Sequence, residues 1–309
     1  MPVQVRPLPP ELAEKARVEL FEDPKKLEDG IAHLKDWIAK QPHLRARTDD
    51  QWLATFLRGS KFSIERAKEK IDLYYSMRTL APELNALKPS DPKFMEILKL
   101  GQFLVLPKTE KVTDPRLFIF CLNFDTSKYT MLDMMAVPNV LQQIMFIEDD
   151  QFVVNGALSV MDMKGGTLAH LTSMSPSLMK KMSVAGQDAV PVRMKGVHYL
   201  NVMPAFEKIF NIFKTFMNEK NRKRLYVHGK DMTSFHQIIP KELLPVEYGG
   251  TGGTVQEIVD YWVKKVQEYS SWFEEETKFG TDESRRPGRP RTAEDMFGVD
   301  GSFRQLEFD

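Results

Sequence analysis

VPVRMKGVHYLN (190–201), then MPAFEKIFNIFKTFMNEKNRKRLYVHG (203–229), then IIPKELLPVEYGG (238–250) read as strand, long amphipathic helix, basic turn, strand and exit loop. On a helical wheel Val202, Phe206, Ile209, Phe210, Phe213 and Met217 fall on one side, and Ile212 and Phe216 widen it. The apolar arc spans roughly 180°, against the roughly 100° stripe of an ordinary core-facing helix. Such a helix has more apolar surface than one sheet contact uses. It can cover a cavity, lie on a membrane, or do each in turn. The competing reading is a well-buried helix of an ordinary α/β domain. Charge separates the two. From Arg193 to Arg224 there are eight Lys/Arg and two Glu, a local +6, in a chain whose 43 basic and 43 acidic side chains cancel. Net charge predicts no partner, whereas this local excess predicts a docking site for an anion.

Outward from this stretch the pattern is strands alternating with helices. LVLP (104–107), LFIFCLNF (117–124), ALSVMDM (157–163), KGVHYLN (195–201) and LYVHG (225–229) read as β. Pro138 is expected to open a helix whose Val137, Val140, Leu141, Ile144 and Met145 share a face. Ser175 before Pro176 is a cap with proline at the first helical position, and Leu178, Met182, Ala185 and Ala189 then face one way. This alternation predicts an α/β sheet with largely parallel pairing. Before it, residues 1–30 read as a mobile Pro-rich start and a short helix, and 30–81 as a three- or four-helix unit. After it, the charged run from Glu274 reads as linker or tail, ending in Met296, Phe297, Phe303, Leu306 and Phe308, enough apolar residues to dock back on the body.

Composition sets bounds. With 309 residues, 42% hydrophobic and 28% charged, the chain can bury a sizeable core. One cysteine, Cys121, excludes an intrachain disulfide and a Cys-based zinc site and fits a reducing compartment. No signal peptide and no membrane span are legible, so the expectation is a soluble cytoplasmic protein. Seventeen Met and twenty Phe suit an adaptable apolar binding site, although filler in an ordinary core explains most of them.

Catalytic patterns are weak. Gly249-Gly250-Thr251-Gly252-Gly253 lacks the Lys-Ser/Thr of a phosphate loop, and neither G-x-S-x-G nor H-E-x-x-H occurs. His198 and His228 sit on neighbouring strands without a third ligand at metal spacing. Asp162, at a strand's carboxyl end, is expected to hold the turn at Lys164 and Gly165, and Cys121 to be core. The basic run KNRKR (220–224) has no interleaved aromatics, so no nucleic-acid partner is expected.

Four pieces in order carry a resemblance: Leu57-Arg58-Gly59-Ser60-Lys61-Phe62 with Ala67; Val160-Met161-Asp162-Met163-Lys164-Gly165; Val192 to Asn201; and Leu243-Leu244-Pro245-Val246-Glu247-Tyr248-Gly249-Gly250. Together they make the chain, over roughly residues 30 to 270, resemble the CRAL-TRIO lipid-binding family, and within it the group of alpha-tocopherol transfer protein and cellular retinaldehyde-binding protein. The resemblance implies an N-terminal helical module (1–90), an α/β lipid-binding domain (91–273) whose sheet encloses an apolar cavity under a mobile helical lid, and the charged tail (274–309). By position the lid is Val202–Met217, with Phe206, Ile209, Phe210, Phe213 and Met217 on its apolar side. Cavity positions carried over are Ala157, Met161, Met174, Met182, Ala185, Gly186, Val190, Val192, Met194 and Val197. The helix faces add Val137, Val140, Leu141, Ile144 and Leu178. The family's phosphoinositide site falls on Arg193, Lys195, Lys220, Arg222 and Arg224.

The function implied is a non-enzymatic, monomeric carrier with no cofactor beyond its cargo. It binds one hydrophobic small molecule (a tocopherol, retinoid or similar isoprenoid) and delivers it to phosphoinositide-bearing membranes. A phospholipid or phosphatidylinositol exchanger of the same fold would need polar groups inside the cavity, and the carried-over list is nearly all apolar. A lipid-sensing regulatory adaptor is the alternative from another class.

Overall fold

The computed structural model describes residues 4–107, 109–202, 206–228 and 233–298. Its N-terminal part is helical: Pro10–Lys15 running into a wide turn at Ala16–Leu20, then Pro24–Ala39, the short strand β1 (Leu44–Arg45), Asp50–Gly59 and Ile64–Leu80. Trp52, Leu53, Phe56 and Leu57, four apolar residues at helical spacing, are all buried. The Trp52 ring meets Phe56, Tyr74 and Phe146 edge-on at 5.7, 5.7 and 6.0 Å, which welds this unit to the helix Met131–Glu148. From Gln4 onward the Pro-rich start is held rather than mobile: Arg6 pairs with the buried Asp150 at 2.5 Å, and the Gln4 amide donates to Asp50 at 2.7 Å.

The body is a five-stranded sheet in the order β2 (Phe103–Val105), β3 (Arg116–Cys121), β4 (Ala157–Asp162), β5 (Met194–Leu200), β6 (Leu225–Val227). β2 runs antiparallel to β3, and the other pairs are parallel, as the alternation of strands and helices predicts. Pro138 does not open its helix. The helix starts at Met131, where Thr130 and Asp133 form a capping box, and Pro138 sits inside it. An interior proline forfeits one backbone hydrogen bond, and the wheel face of Val137, Val140, Leu141 and Ile144, all buried in the main core, outweighs that loss.

The run from Glu274 is not a linker. It continues the helix Ser270–Glu276, and its β7 (Gly280–Thr281) pairs antiparallel with β1. Buried Glu276 accepts from Arg47 at 2.8 Å and Arg78 at 2.6 Å. Arg286 grips Asp72 with two hydrogen bonds of 2.7 and 2.8 Å. Phe297 docks as expected, buried with Met77, Ala81, Leu84 and Val184. Phe303, Leu306 and Phe308 lie outside the described residues.

Candidate functional site

Alternation along the strands and the parallel register put Phe118, Ser159, Met161, Val197 and Tyr199 on one face of the sheet. At the β3 end this face is closed by Phe118 against Phe152, centroids 5.5 Å apart. At the β5 end the helix Phe206–Thr215 lies over it, with buried Phe210 edge-on to Tyr199 at 4.8 Å. Between these two closures Ser159, Met161 and Val197 are only half-buried, although they sit on the central strands β4 and β5. Central strands of a filled α/β core are buried on both faces. Partial exposure there means that the described residues leave this part of the face incompletely covered.

The expected cavity residues divide four ways. Val137, Val140, Leu141, Ile144 and Ala157 are fully buried in the main core, with Met161, Met174, Val190, Val192 and Val197 half-buried against them. Met194 is half-buried at the start of β5. Leu178, Met182 and Ala185 share a face, but it packs on the helix Ile64–Leu80 and Phe297 rather than on the sheet. Gly186 is exposed, with open space where a Cβ would stand, so it lines nothing. Periodicity finds a helix's apolar face but not which of two neighbouring layers receives it. Of the lid residues, Phe210 is placed as expected and Met217 is half-buried just past the helix. Phe206, Ile209 and Phe213 lie on the helix, and their side chains are outside what is described.

The helix ends over the amino ends of β5 and β6, where the chain turns through Glu219–Arg222. Its end is latched by Gln187. The Gln187 carboxamide oxygen accepts from the Asn218 backbone amide (3.2 Å), the Asn218 side chain (3.0 Å) and the Asn221 side chain (2.8 Å). Its amide nitrogen donates to Ser183, which itself donates to the Phe216 carbonyl at 2.8 Å. Gln187 stands on a wide i→i+5 turn, Ala185–Ala189, closed by the Val190 amide on the Ala185 carbonyl at 3.2 Å. Lys70 crosses from the N-terminal unit to cap that turn, donating to the carbonyls of Gln187, Asp188 and Val190, and burial pulls its pKa down to about 8.

The five expected anion-binding residues gather around this end, with different duties. Lys220 and Arg222 are exposed. Desolvation first, then the charges of Arg224, Lys61, Arg193 and Arg66, lowers the pKa of Lys220. Lys195, lowered by desolvation and by Arg193, Lys15 and Arg224, reaches Glu19 at 3.7 Å. Arg224 donates to the Met194 carbonyl and ties the turn to β5. Arg193 departs from expectation. Its guanidinium donates to the carbonyls of Arg58 (2.7 Å), Val153 (3.1 Å) and Val154, and burial brings its pKa down to about 10. Those donors clamp the N-terminal unit to the sheet instead of facing an anion. Lys61 and Arg66, contributed by the N-terminal unit, are cations that the local +6 count misses. They lie over a hundred positions from the other cations in sequence, and no local pattern ties them to this turn.

On the opposite sheet face His198 and His228 are neighbours, Nδ1 to Nε2 at 2.9 Å, and the second His228 nitrogen meets Ser234 at 2.9 Å. Burial, then His228, brings His198 down to about 4, so His198 is neutral at pH 7, and burial lowers the pKa of His228 as well. Among the described residues no group of three His, Cys, Asp or Glu is arranged to hold a metal ion. Asp162 holds its turn, accepting from the Lys164 amide at 2.9 Å and from Asn201 at 2.8 Å. Cys121 touches the exit loop at the Tyr248 hydroxyl (2.7 Å), and burial pushes its thiol up to about 11. Among the described residues no helix is long and apolar enough to cross a membrane.

Comparison with known proteins adds the following. Residues 23–93 match the family model described as Pinta-like, UBA domain, and residues 100–250 match the CRAL/TRIO domain. Clavesin-2 of Homo sapiens is 32% identical over 245 residues, covering 79% of this chain and 75% of its own length. Alpha-tocopherol transfer protein-like of Homo sapiens is 37% identical over 259 residues, covering 82% and 73%. The crystal structure of Sfh5 superposes with a TM-score of 0.48 at 14% identity, covering 82% of this chain and 92% of that one.

Proposed function

The chain belongs to the CRAL/TRIO family of lipid-binding and lipid-transfer proteins, and from that premise we propose that it is a carrier which holds one hydrophobic small molecule between sheet and lid and delivers it to phosphoinositide-bearing membranes. The observation that carries this reading is the half-buried trio Ser159, Met161 and Val197 at the centre of the sheet, roofed by a helix that ends among cations from both parts of the chain. Met161 and Val197 present apolar surface there, which favours an isoprenoid such as a tocopherol or retinoid over a phospholipid head group. The protein acts as a cytoplasmic monomer without catalysis, visiting membranes transiently.

The energetics fit a carrier. Burying an apolar chain is worth about 0.8 kcal/mol per CH₂, so sixteen carbons give about 13 kcal/mol before costs, and loss of cargo to water is negligible. Each Lys or Arg near an anionic surface adds about 1 kcal/mol, reversible and salt-sensitive. An amphipathic lid beside those charges exchanges its seat on the cavity for one on the bilayer, so opening is conditional on arrival.

Native mass spectrometry of the purified protein, paired with a vesicle transfer assay, tests this. A stoichiometric isoprenoid-sized adduct is expected, together with slower transfer to phosphoinositide vesicles when Lys220 and Arg222 are replaced by Ala. A bound phospholipid points to an exchanger, and an empty protein with unchanged membrane recruitment points to an adaptor. Either outcome overturns the proposal.

A further inference from the structure

The segment before the first long helix buries one apolar stripe and exposes another. Leu12, Ala16 and Leu20 are at most 1% exposed, packed with Val154. Val18 and Phe21, three positions apart on the following turn, are 56% and 58% exposed. Single exposed apolar residues are commonplace and need no explanation. Two facts set this pair apart. Phe21 has φ = 65°, a left-handed backbone conformation that costs an L-residue and that glycine would adopt freely. A large aromatic thus stands outward where it is conformationally unwelcome.

The second fact is position. Glu19, between the two, lies 3.8 Å from Lys15 and 3.7 Å from Lys195. Glu22, next to Phe21, is held by Arg58 at 2.8 Å, and the Arg58 carbonyl accepts from Arg193. Phe62, adjacent to Lys61, packs on the same small core as Leu20. The exposed pair therefore borders the cation cluster at the amino ends of β5 and β6. Four of the acids nearby are matched by a base: Glu14 by Arg17 at 2.7 Å, Glu19 and Glu22 as above, and Asp23 by Lys26 at 3.4 Å. These pairs reduce like-charge repulsion from an anionic surface.

We propose that Val18 and Phe21 form an apolar anchor that inserts into the outer layer of an anionic bilayer while the adjoining cations bind its head groups. Exposed apolar side chains next to cations are the combination that peripheral membrane binding uses, one contribution scaling with buried area and the other with surface charge. This rests on the membrane-docking part of the proposed function and assigns to it a second, salt-insensitive component.

The test is sedimentation of the full-length chain with phosphatidylcholine vesicles, with and without phosphoinositide, at low and high salt. V18A/F21A should partition about tenfold more weakly, equivalent to about 1.4 kcal/mol, and by a similar factor at both salt concentrations. K220A/R222A should lose affinity mainly at low salt. F21G separates docking from folding, because glycine relieves the left-handed backbone: its melting temperature should hold or rise while vesicle binding falls. Phe21→Trp should be quenched by brominated lipids beyond the quenching of the four native tryptophans. If V18A/F21A and F21G sediment like the parent protein, the anchor is wrong while cation docking stands. If the parent binds no anionic vesicle, anchor and docking fall together.

Discussion

Arg193 and Arg222 carry the same charge within one basic stretch, yet they sit in opposite surroundings. Arg193 is half-buried, holding three carbonyls from two parts of the chain, whereas Arg222 is in solvent. Removing a charged donor from buried acceptors costs about 1.5–3 kcal/mol per hydrogen bond before relaxation. R193A should therefore lower stability by about 3 kcal/mol in urea melts, and R222A by less than about 0.5 kcal/mol. His198 makes a second prediction at this scale. Its folded pKa of about 4 lies below the ordinary 6.5, so the unfolded chain binds the proton more readily. The stabilisation is complete above pH 6.5 and is lost as pH falls from 6.5 towards 4, on the order of 3 kcal/mol in all. Melting temperature measured across that window should fall in the parent protein, with a flatter profile in H198Q.

At the scale of elements, the described contacts of the lid lie towards its two ends. The described seat of its first half is Phe210 on Tyr199. Its far end hangs on Gln187, which stands on the wide turn that Lys70 caps. An i→i+5 turn inside a helix commonly marks a functional position. Here it turns the Gln187 side chain out to meet Asn218 and Asn221. Q187A removes three accepted hydrogen bonds and two donated ones, to Ser183 and to the Phe216 carbonyl, while leaving the sheet untouched. Hydrogen exchange of the amides in 210–217 should accelerate about tenfold, since each partly exposed hydrogen bond is worth about 1 kcal/mol. Cargo transfer should become faster rather than slower. Unchanged exchange in Q187A would remove the latch from the account.

On the scale of the whole molecule, the two parts of the chain are joined at close quarters. A Cβ on Gly59 would stand 2.1 Å from the Pro191 carbonyl oxygen, so only glycine allows the N-terminal unit to meet the segment that leads through Arg193 into β5 at this distance. The C-terminal segment then straps both together. Glu276 neutralises buried Arg47 and half-buried Arg78, and Arg286 neutralises buried Asp72. Breaking a buried pair by removing one partner costs about 3–5 kcal/mol, because the other charge remains inside. Truncation after Phe273 strands three such charges and also strips Phe297 from its cluster. The truncated chain should show no cooperative melt above about 37 °C, against a folded full-length protein, since its losses exceed the few kcal/mol by which domains are stable. A truncated chain that melts like the parent would mean the strap is dispensable.

What the amino-acid sequence determined by itself was most of what depends on apolar periodicity along the chain. The order of strands, the parallel sheet and the 206–215 helix follow from the periodicity of apolar residues, and the family from four motifs in sequence. Local pattern did not locate the start of the helix holding Pro138, because a capping box at Thr130 and burial of one face outweigh one missing hydrogen bond. It did not distinguish Arg193 from Arg222, bring Lys61 and Arg66 to the lid's end, or turn the charged run from Glu274 into a strap. Those outcomes were decided by tertiary structure. Whether a cation clamps, docks or merely dissolves depends on which carbonyls and carboxylates the rest of the chain brings within about 3 Å of it, and that is set by how distant elements pack.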